Sequence, residues 1–208
     1  MNRISSLTAL ALACLTITAC AGLSPRADSS RFFTLAPLAE AEAKTESPAG
    51  TEQLSLGIGP VKFPVYLDRE ELVTRITQNR FEVSENNRWI EPLEENFTRV
   101  LSQNLSALLH TDRIVRYPWQ NSQRPGYQVE LEVLRFEPNV AQDVQLSARW
   151  SVIDGSDKKI LSVKDSRLTR RATAKSTEAS AAALSAVLGD FSREIAETVR
   201  AIADQRKP

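Results

Sequence analysis

The sequence has few of the residues from which catalytic and metal sites are built. Its 208 residues include one histidine and two cysteines, which nearly excludes a zinc site with several His and Cys ligands or a disulfide framework. Glycine is scarce, with seven residues where average usage of ~7% predicts about 15, so glycine-rich phosphate loops are disfavoured. The 26 basic residues balance the 26 acidic ones without clustering, which argues against a nucleic-acid partner.

No set of residues has the pattern of an active site. His110 falls near the expected end of an amphipathic helix, where a histidine usually serves the helix dipole, and no serine lies in a Gly-x-Ser-x-Gly motif. The run Gly57-Ile58-Gly59-Pro60 is not a dinucleotide fingerprint, because Lys62 stands where the third glycine belongs. We therefore predict that the protein is not an enzyme and holds no cofactor or metal.

The N-terminus has the pattern of an export signal. A basic start precedes an apolar stretch over residues 7–19, which is shorter than the ~20 residues of a membrane-spanning helix and is typical of a secretory signal peptide. It ends in Ile17-Thr18-Ala19-Cys20, which resembles the bacterial lipobox, in which the leader is cut before a cysteine that is then lipidated. Since Cys14 would leave with the leader, Cys20 would be the only cysteine of the mature chain. We predict a signal peptide over residues 1–19 and lipidation at Cys20.

The residue after the lipidated cysteine bears on the destination of the protein. In bacterial lipoproteins an aspartate at this position commonly signals retention in the inner membrane, whereas here the residue is Ala21. The resemblance therefore implies the periplasmic face of the outer membrane, where several acyl chains hold a protein far more firmly than one. A plain signal peptide that ends near a cysteine and a cytosolic protein with an apolar start are the alternatives.

The rest of the chain predicts a small polar tether over residues 20–30 and a single periplasmic α+β domain over residues 31–208. Apolar residues that recur every three or four positions predict one helix beginning at Pro92 and a longer one over residues 176–204. Alternating apolar residues predict strands over residues 54–58, 127–133, 144–152 and 158–170. We expect a mixed or antiparallel β-sheet with the two helices packed on one of its faces.

Two polar stretches predict interruptions in this pattern. Residues 39–53 are rich in Ala, Glu and Thr and predict a long surface loop. The sequence Glu85-Asn86-Asn87 lies between two short apolar runs, and asparagine adopts turn conformations easily. We therefore expect the chain to reverse direction at residues 85–87.

One segment combines aromatic residues with two prolines. Residues 60–67 contain Phe63, Pro64, Tyr66 and Leu67, and the prolines prevent full pairing in a sheet. Aromatic side chains on a rigid segment are favoured interface anchors, so we consider this set, together with Trp89, a candidate partner-docking site. The alternative is that these side chains pack against the core of their own domain.

Several motifs in order along the mature chain resemble one known family. They are the lipobox at Cys20, the first strand Phe32-Phe33-Thr34-Leu35, the pattern Val61-x-x-Pro64-x-Tyr66-Leu67, and Trp89-x-x-Pro92-Leu93 leading to Asn104-Leu105. The chain thus resembles the ABC-type transport auxiliary lipoproteins, the PqiC/YmbA-like family that is linked to MCE transport systems. No single motif is specific, and their order and spacing carry the resemblance.

The resemblance implies a non-catalytic lipoprotein of the outer membrane. It would dock with an MCE-domain transport protein (PqiB-like) in a system that moves lipids between membranes and maintains envelope integrity. Because MCE assemblies are rings, a homo-oligomeric lipoprotein cap is a further expectation. A carrier that binds a lipid or another hydrophobic ligand, and an outer-membrane assembly scaffold unrelated to transport, remain as alternatives.

Overall fold

The structure is a computed structural model that describes residues 29–38 and 54–206. The predicted signal peptide, Cys20, most of the tether and the predicted loop over residues 39–53 lie outside this described part. The strands are β1 Arg31–Phe33, β2 Leu56–Lys62, β3 Glu71–Arg75, β4 Phe81–Trp89, β5 Ile114–Arg116, β6 Tyr127–Pro138, β7 Asp143–Asp154 and β8 Ile160–Arg171, and the helices are α1 Leu93–Leu109 and α2 Thr177–Gln205. None of the helices in the described part is long and apolar enough to cross a membrane.

The larger sheet has five strands in the order β5-β2-β6-β7-β8. Strand β2 runs parallel to β5 and β6, whereas β6, β7 and β8 are successive antiparallel neighbours. The alternating residues place one apolar face inside, where Leu131, Leu146 and Trp150 are at most 3% exposed. The sheet is therefore mixed, and the predicted α+β class is confirmed.

Both helices cover the inner face of this sheet and run parallel to each other. Asn104 in the middle of α1 donates from its side chain to Ser192 of α2, with 3.1 Å between Nδ2 and Oγ. Further along both helices, Arg200 of α2 donates to the main-chain oxygen of Leu108 in α1. The rings of Phe97 and Phe191 meet between the helices, with 6.5 Å between their centroids. The two apolar stripes predicted from the sequence thus share one core with the sheet.

A second sheet has three strands in the order β1-β4-β3, and the expected chain reversal at residues 85–87 is wrong. Strand β4 continues through these residues and pairs with β3 on one side and β1 on the other. The pairing register jumps between Val83 and Arg88, and Ser84 Oγ accepts hydrogen bonds from the main chain and the side chain of Asn87. The turn preference of asparagine therefore appears as a bulge, because neighbours on both sides keep the strand in place.

Candidate docking surface

The predicted docking residues come together at a short 3-10 turn, Val65–Leu67, that follows β2. Phe63 packs its ring edge-on against Phe97 of α1, with 5.1 Å between centroids. Leu67 and Trp89 are 3% and 5% exposed and line one small internal space beneath the smaller sheet. Both side chains lie in the core and support the turn from inside. A contact of either residue with a partner remains a prediction.

Tyr66 is fixed by a buried carboxylate that the sequence analysis missed. Its hydroxyl donates to Oε2 of Glu137 across 2.9 Å, and the Glu137 side chain is 1% exposed. The other carboxylate oxygen accepts hydrogen bonds from Nε of Arg75 at 2.7 Å and from Nε of Arg135 at 3.1 Å. We call these four residues, Tyr66, Arg75, Arg135 and Glu137, the carboxylate cluster. It joins the turn, β3 of the smaller sheet and β6 of the larger sheet.

The environment of this cluster shifts the ionisation of Tyr66. Burial, followed by the negative charge of Glu137, raises the pKa of the Tyr66 hydroxyl to about 12. The phenol therefore remains a neutral hydrogen-bond donor at any physiological pH. Its ring lies 4.7 Å from the ring of Phe81 in β4, and the Arg75 guanidinium sits 4.2 Å above the Phe81 ring. Tyr66 is thus held by a hydrogen bond to Glu137 of the larger sheet and by a ring contact with Phe81 of the smaller sheet.

The tip of the turn faces solvent. Val65 is 85% exposed and stands between Pro64 and Tyr66, which are both half-buried. An apolar side chain in this position contributes nothing to the core of the described part. The turn therefore presents the apolar side chain of Val65 on a backbone that is already ordered. Such preorganisation lowers the entropy cost of binding a partner.

The segment that follows β1 lies between the two helices. We call residues 34–38 the strap. The main-chain N–H of Leu35 donates to Oδ1 of Asn96, and that of Leu38 donates to Oδ1 of Asn104 at 2.8 Å. Both asparagines are buried in α1, and the N–H of Ala36 donates to Ser185 of α2. The sequence predicts a strand here through Leu35, but the strand ends at Phe33 because side chains of the two helices supply the hydrogen-bond acceptors instead.

The glycine pair near the start of β2 has a packing role. A Cβ atom at Gly57 would lie 2.8 Å from the ring of Trp119 and 2.6 Å from Pro125, and one at Gly59 would lie 2.8 Å from Cβ of Tyr117. Because Gly57 and Gly59 have no side chains, Tyr117, Trp119 and Pro125 pack directly against the main chain of β2. Tyr117 and Trp119 are packed edge-on, with 5.6 Å between centroids, and Tyr117 is 56% exposed.

The described part offers little for chemistry. Residues 29–38 and 54–206 contain no group of three or more His, Cys, Asp or Glu side chains that could hold a metal ion. His110 is the left-handed residue that ends α1, in keeping with the structural role predicted for it. Two surface clefts of about 440 and 510 Å³ are lined mainly by polar and charged side chains, and a smaller groove of about 260 Å³ is lined in part by the apolar residues Pro60, Ile160 and Val163.

One family model and several solved structures are similar to this chain. A family model for ABC-type transport auxiliary lipoprotein components matches residues 33–196, whereas a comparison with curated proteins finds no match. A crystal structure of a protein from Xanthomonas campestris is 14% identical, with a TM-score of 0.68 and coverage of 84% of this chain and 98% of that one. A second crystal structure, of an uncharacterized protein, is 17% identical, with a TM-score of 0.65 and coverage of 82% and 99%.

These two likenesses show a shared fold. The family match spans the strap, α1, all strands of the larger sheet and α2 as far as residue 196. It includes the Pro64, Tyr66, Trp89 and Asn104 positions on which the resemblance rested. The chain belongs to the family of ABC-type transport auxiliary lipoprotein components.

Proposed function

We propose that this lipoprotein is anchored in the outer membrane through Cys20 and acts as a non-catalytic docking component of an MCE-type system that moves lipids between membranes and maintains the envelope. The observation that carries the proposal is the family match over residues 33–196, which makes the protein an auxiliary component of a transport system. The lipobox at Cys20 and Ala21 after it support the outer membrane. The partner is an MCE-domain protein of the PqiB type that reaches across the periplasm.

The 63–67 turn is the proposed contact with that partner. Its support is the contrast between Val65, which is 85% exposed, and the carboxylate cluster that fixes Tyr66 directly beside it. A contact made by a side chain on an already ordered backbone loses little conformational entropy. A ring of several copies would present several such turns to one partner assembly.

The test uses a substitution that leaves the core untouched. Val65→Asp places a charge at the tip of the turn, and Val163→Asp is the matched control because Val163 on β8 is also exposed, at 59%. We expect cross-linked pulldown from cell envelopes to lose the MCE-domain protein with Val65→Asp and to retain it with the control, while both variants keep the wild-type melting temperature. Equal capture by both variants would remove the turn from the interface.

The same preparations distinguish docking from lipid carriage. The full chain with Cys20→Ala, produced without its anchor, should contain no stoichiometric phospholipid after purification. A lipid recovered at one molecule per chain would support the carrier alternative.

A further inference from the structure

Strand β8 leaves one long edge of the larger sheet open. It is the last strand in the order β5-β2-β6-β7-β8 and is 12 residues long, whereas β5 at the opposite edge has three residues. Its pairing with β7 is regular from Ser162 to Arg171, and no proline interrupts these residues. Natural proteins usually shorten, bend or cover such an edge, because its main-chain groups can pair with another strand. The β8 edge is therefore a candidate site for strand pairing.

The hydrogen-bond register shows which main-chain groups of β8 face the open side. The N–H of Ala172 donates to the carbonyl of Gln142 at 2.8 Å, and this pair continues the register of Val144 with Arg170. Since hydrogen-bonded and non-hydrogen-bonded pairs alternate in an antiparallel ladder, the even-numbered residues of this regular part bond to β7. The odd-numbered residues from 163 to 171 direct their N–H and C=O groups away from β7, and all five are exposed.

Two cationic side chains of β8 are directed to α2 rather than to the open edge. Nζ of Lys164 donates to Oγ1 of Thr198 at 2.9 Å, and Nη2 of Arg170 donates to Oδ1 of Asp190 at 2.7 Å. Charged side chains on an edge strand often protect it from pairing, but here α2 holds both cations within their own domain. Neither hydrogen bond uses a main-chain group of the open edge.

The outer face of β8 carries opposite charges two positions apart, at Asp165 and Arg167. If β8 pairs antiparallel with the β8 of a second copy and the pairing is centred on Ser166, Asp165 of each copy lies opposite Arg167 of the other. Opposite charges in facing positions stabilise a strand pair, and like charges destabilise it. A centre at residue 165 or 167 would place one of these charges opposite itself. A centre at residue 168 would place Asp165 opposite Arg171, which already faces Asp143 of its own copy at 3.9 Å.

Asp165 can take part in such a pair without losing its present partner. Nε and Nη2 of Arg149 donate to its two carboxylate oxygens at 2.9 and 3.1 Å. An ionised carboxylate has about four acceptor positions, so the same group can accept from Arg149 of its own copy and from Arg167 of a second copy. The exposed Asp165 thus has acceptor capacity toward the open edge.

We propose that two copies of the protein associate by antiparallel pairing of their β8 strands, centred on Ser166, so that the larger sheets of the two copies become one continuous sheet. The contact is two-fold symmetric and closes at two copies, so a ring would be assembled from such pairs through another surface. The 63–67 turn follows β2 and bonds to β6, and pairing at β8 therefore leaves it open to the proposed partner. The Val163→Asp control used above keeps both facing charge pairs and is compatible with this contact.

Cross-linking through engineered cysteines tests the register. The pairing places Val163 of one copy opposite Thr169 of the other, whereas two copies of the same position lie six residues apart along the strands, ~20 Å. The full chain, purified in detergent, receives Val163→Cys and Thr169→Cys together or either one alone, and a short bismaleimide is added. We expect a cross-linked dimer from the variant with both cysteines and from a mixture of the two single variants. Each single variant alone, and the wild-type chain with only Cys14 and Cys20, should stay monomeric on a denaturing gel.

An exchange of charges between copies tests the complementarity. In the chain with both cysteines, Arg167→Asp makes all four central charges of a pair negative, and Asp165→Arg makes them all positive. Either variant alone should therefore give several-fold less cross-linked dimer, and a mixture of the two, which restores opposite charges at both facing positions, should recover the yield. Arg116→Asp, at an exposed position of the opposite edge strand β5, is the control and should leave the yield unchanged. Melting temperatures close to that of the wild type confirm that each variant is folded.

Three results would overturn the proposal. The absence of a dimer in a folded chain with both cysteines would refute pairing at β8. Equal cross-linking by the single-cysteine variants alone, or a mixture of the charge variants that gives no more dimer than either one, would refute the register centred on Ser166. Purified chain in detergent needs neither the partner nor a membrane, so none of these results bears on the lipid anchor or on the 63–67 turn.

Discussion

The most consequential single residue of the described part is Glu137, a charged side chain that is almost fully buried. Its two oxygens accept hydrogen bonds from Tyr66, Arg75, Arg135 and the main-chain N–H of Phe136. A buried carboxylate is tolerated only when its hydrogen bonds are complete. The carboxylate cluster therefore makes the position of the 63–67 turn depend on both sheets.

Removing one hydroxyl tests the strength of this link. Tyr66→Phe keeps the ring against Phe81 but deletes the donor to Glu137, and a hydrogen bond to a charged group contributes ~1.5–3 kcal/mol. We expect the free energy of unfolding in urea to fall by this amount. The matched control, Tyr117→Phe, alters a ring that is 56% exposed and should change stability by less than ~0.5 kcal/mol. Equal effects from both variants would mean that the cluster does not hold the turn.

The same variant has a characteristic pH dependence. A tyrosine in the unfolded chain ionises near pH 10, whereas Tyr66 in the folded protein remains protonated to about pH 12. Its contribution to stability is therefore complete below pH 10 and is lost as the pH rises from 10 to 12. The stability difference between wild type and Tyr66→Phe should shrink across that interval, and a constant difference would contradict the raised pKa.

At the scale of elements, the strap connects two helices that are distant in sequence from it. The Oδ1 atoms of Asn96 and Asn104 accept hydrogen bonds from main-chain N–H groups of the strap. Gly189 of α2 leaves room for Leu38, because a Cβ atom there would lie 2.6 Å from Cδ2 of Leu38. The strap is thus packed into the helical layer and links α1 with α2.

Asn104→Ala tests the strap. The substitution removes the acceptor of the Leu38 N–H and the amide that donates to Ser192 Oγ, and leaving the Leu38 N–H without its partner costs ~1–3 kcal/mol. The exposed neighbour Gln103 provides the control, since Gln103→Ala should be close to neutral. Hydrogen exchange should accelerate at the Leu38 amide in Asn104→Ala alone. Unchanged exchange there would show that the strap is held by other contacts.

At the scale of the whole molecule, the predicted lipid anchor at Cys20 determines the membrane to which the protein is attached. Cys20→Ala should remove the lipid and release the protein from the outer-membrane fraction. Cys14→Ala should leave that distribution unchanged, because Cys14 lies inside the predicted leader. Fractionation of both variants on a sucrose gradient measures this directly. Wild-type distribution of the Cys20 variant would contradict the lipobox interpretation.

Much of this protein could be predicted from local pattern. Helix and strand periodicity depends on residues within a few positions of each other, and both long helices and the strands β2, β6, β7 and β8 occur where the pattern predicted them. The family resemblance also rested on short motifs in order, and the match over residues 33–196 confirms it. The lipobox is equally local, and its consequences remain predictions.

Contacts between distant residues were decided only in three dimensions. Asparagine at residues 86 and 87 indicated a turn, but pairing with β1 and β3 kept it in a strand. The partners of Glu137 lie as far as 71 residues away in sequence, and the strap donates to residues up to 149 positions distant. Sequence alone determined the two long helices, the main strands of the larger sheet and the family, because these depend on short-range order. The tertiary structure decided the second sheet and the buried cluster, because the sheet depends on main-chain pairing between distant strands and the cluster on hydrogen bonds between distant side chains.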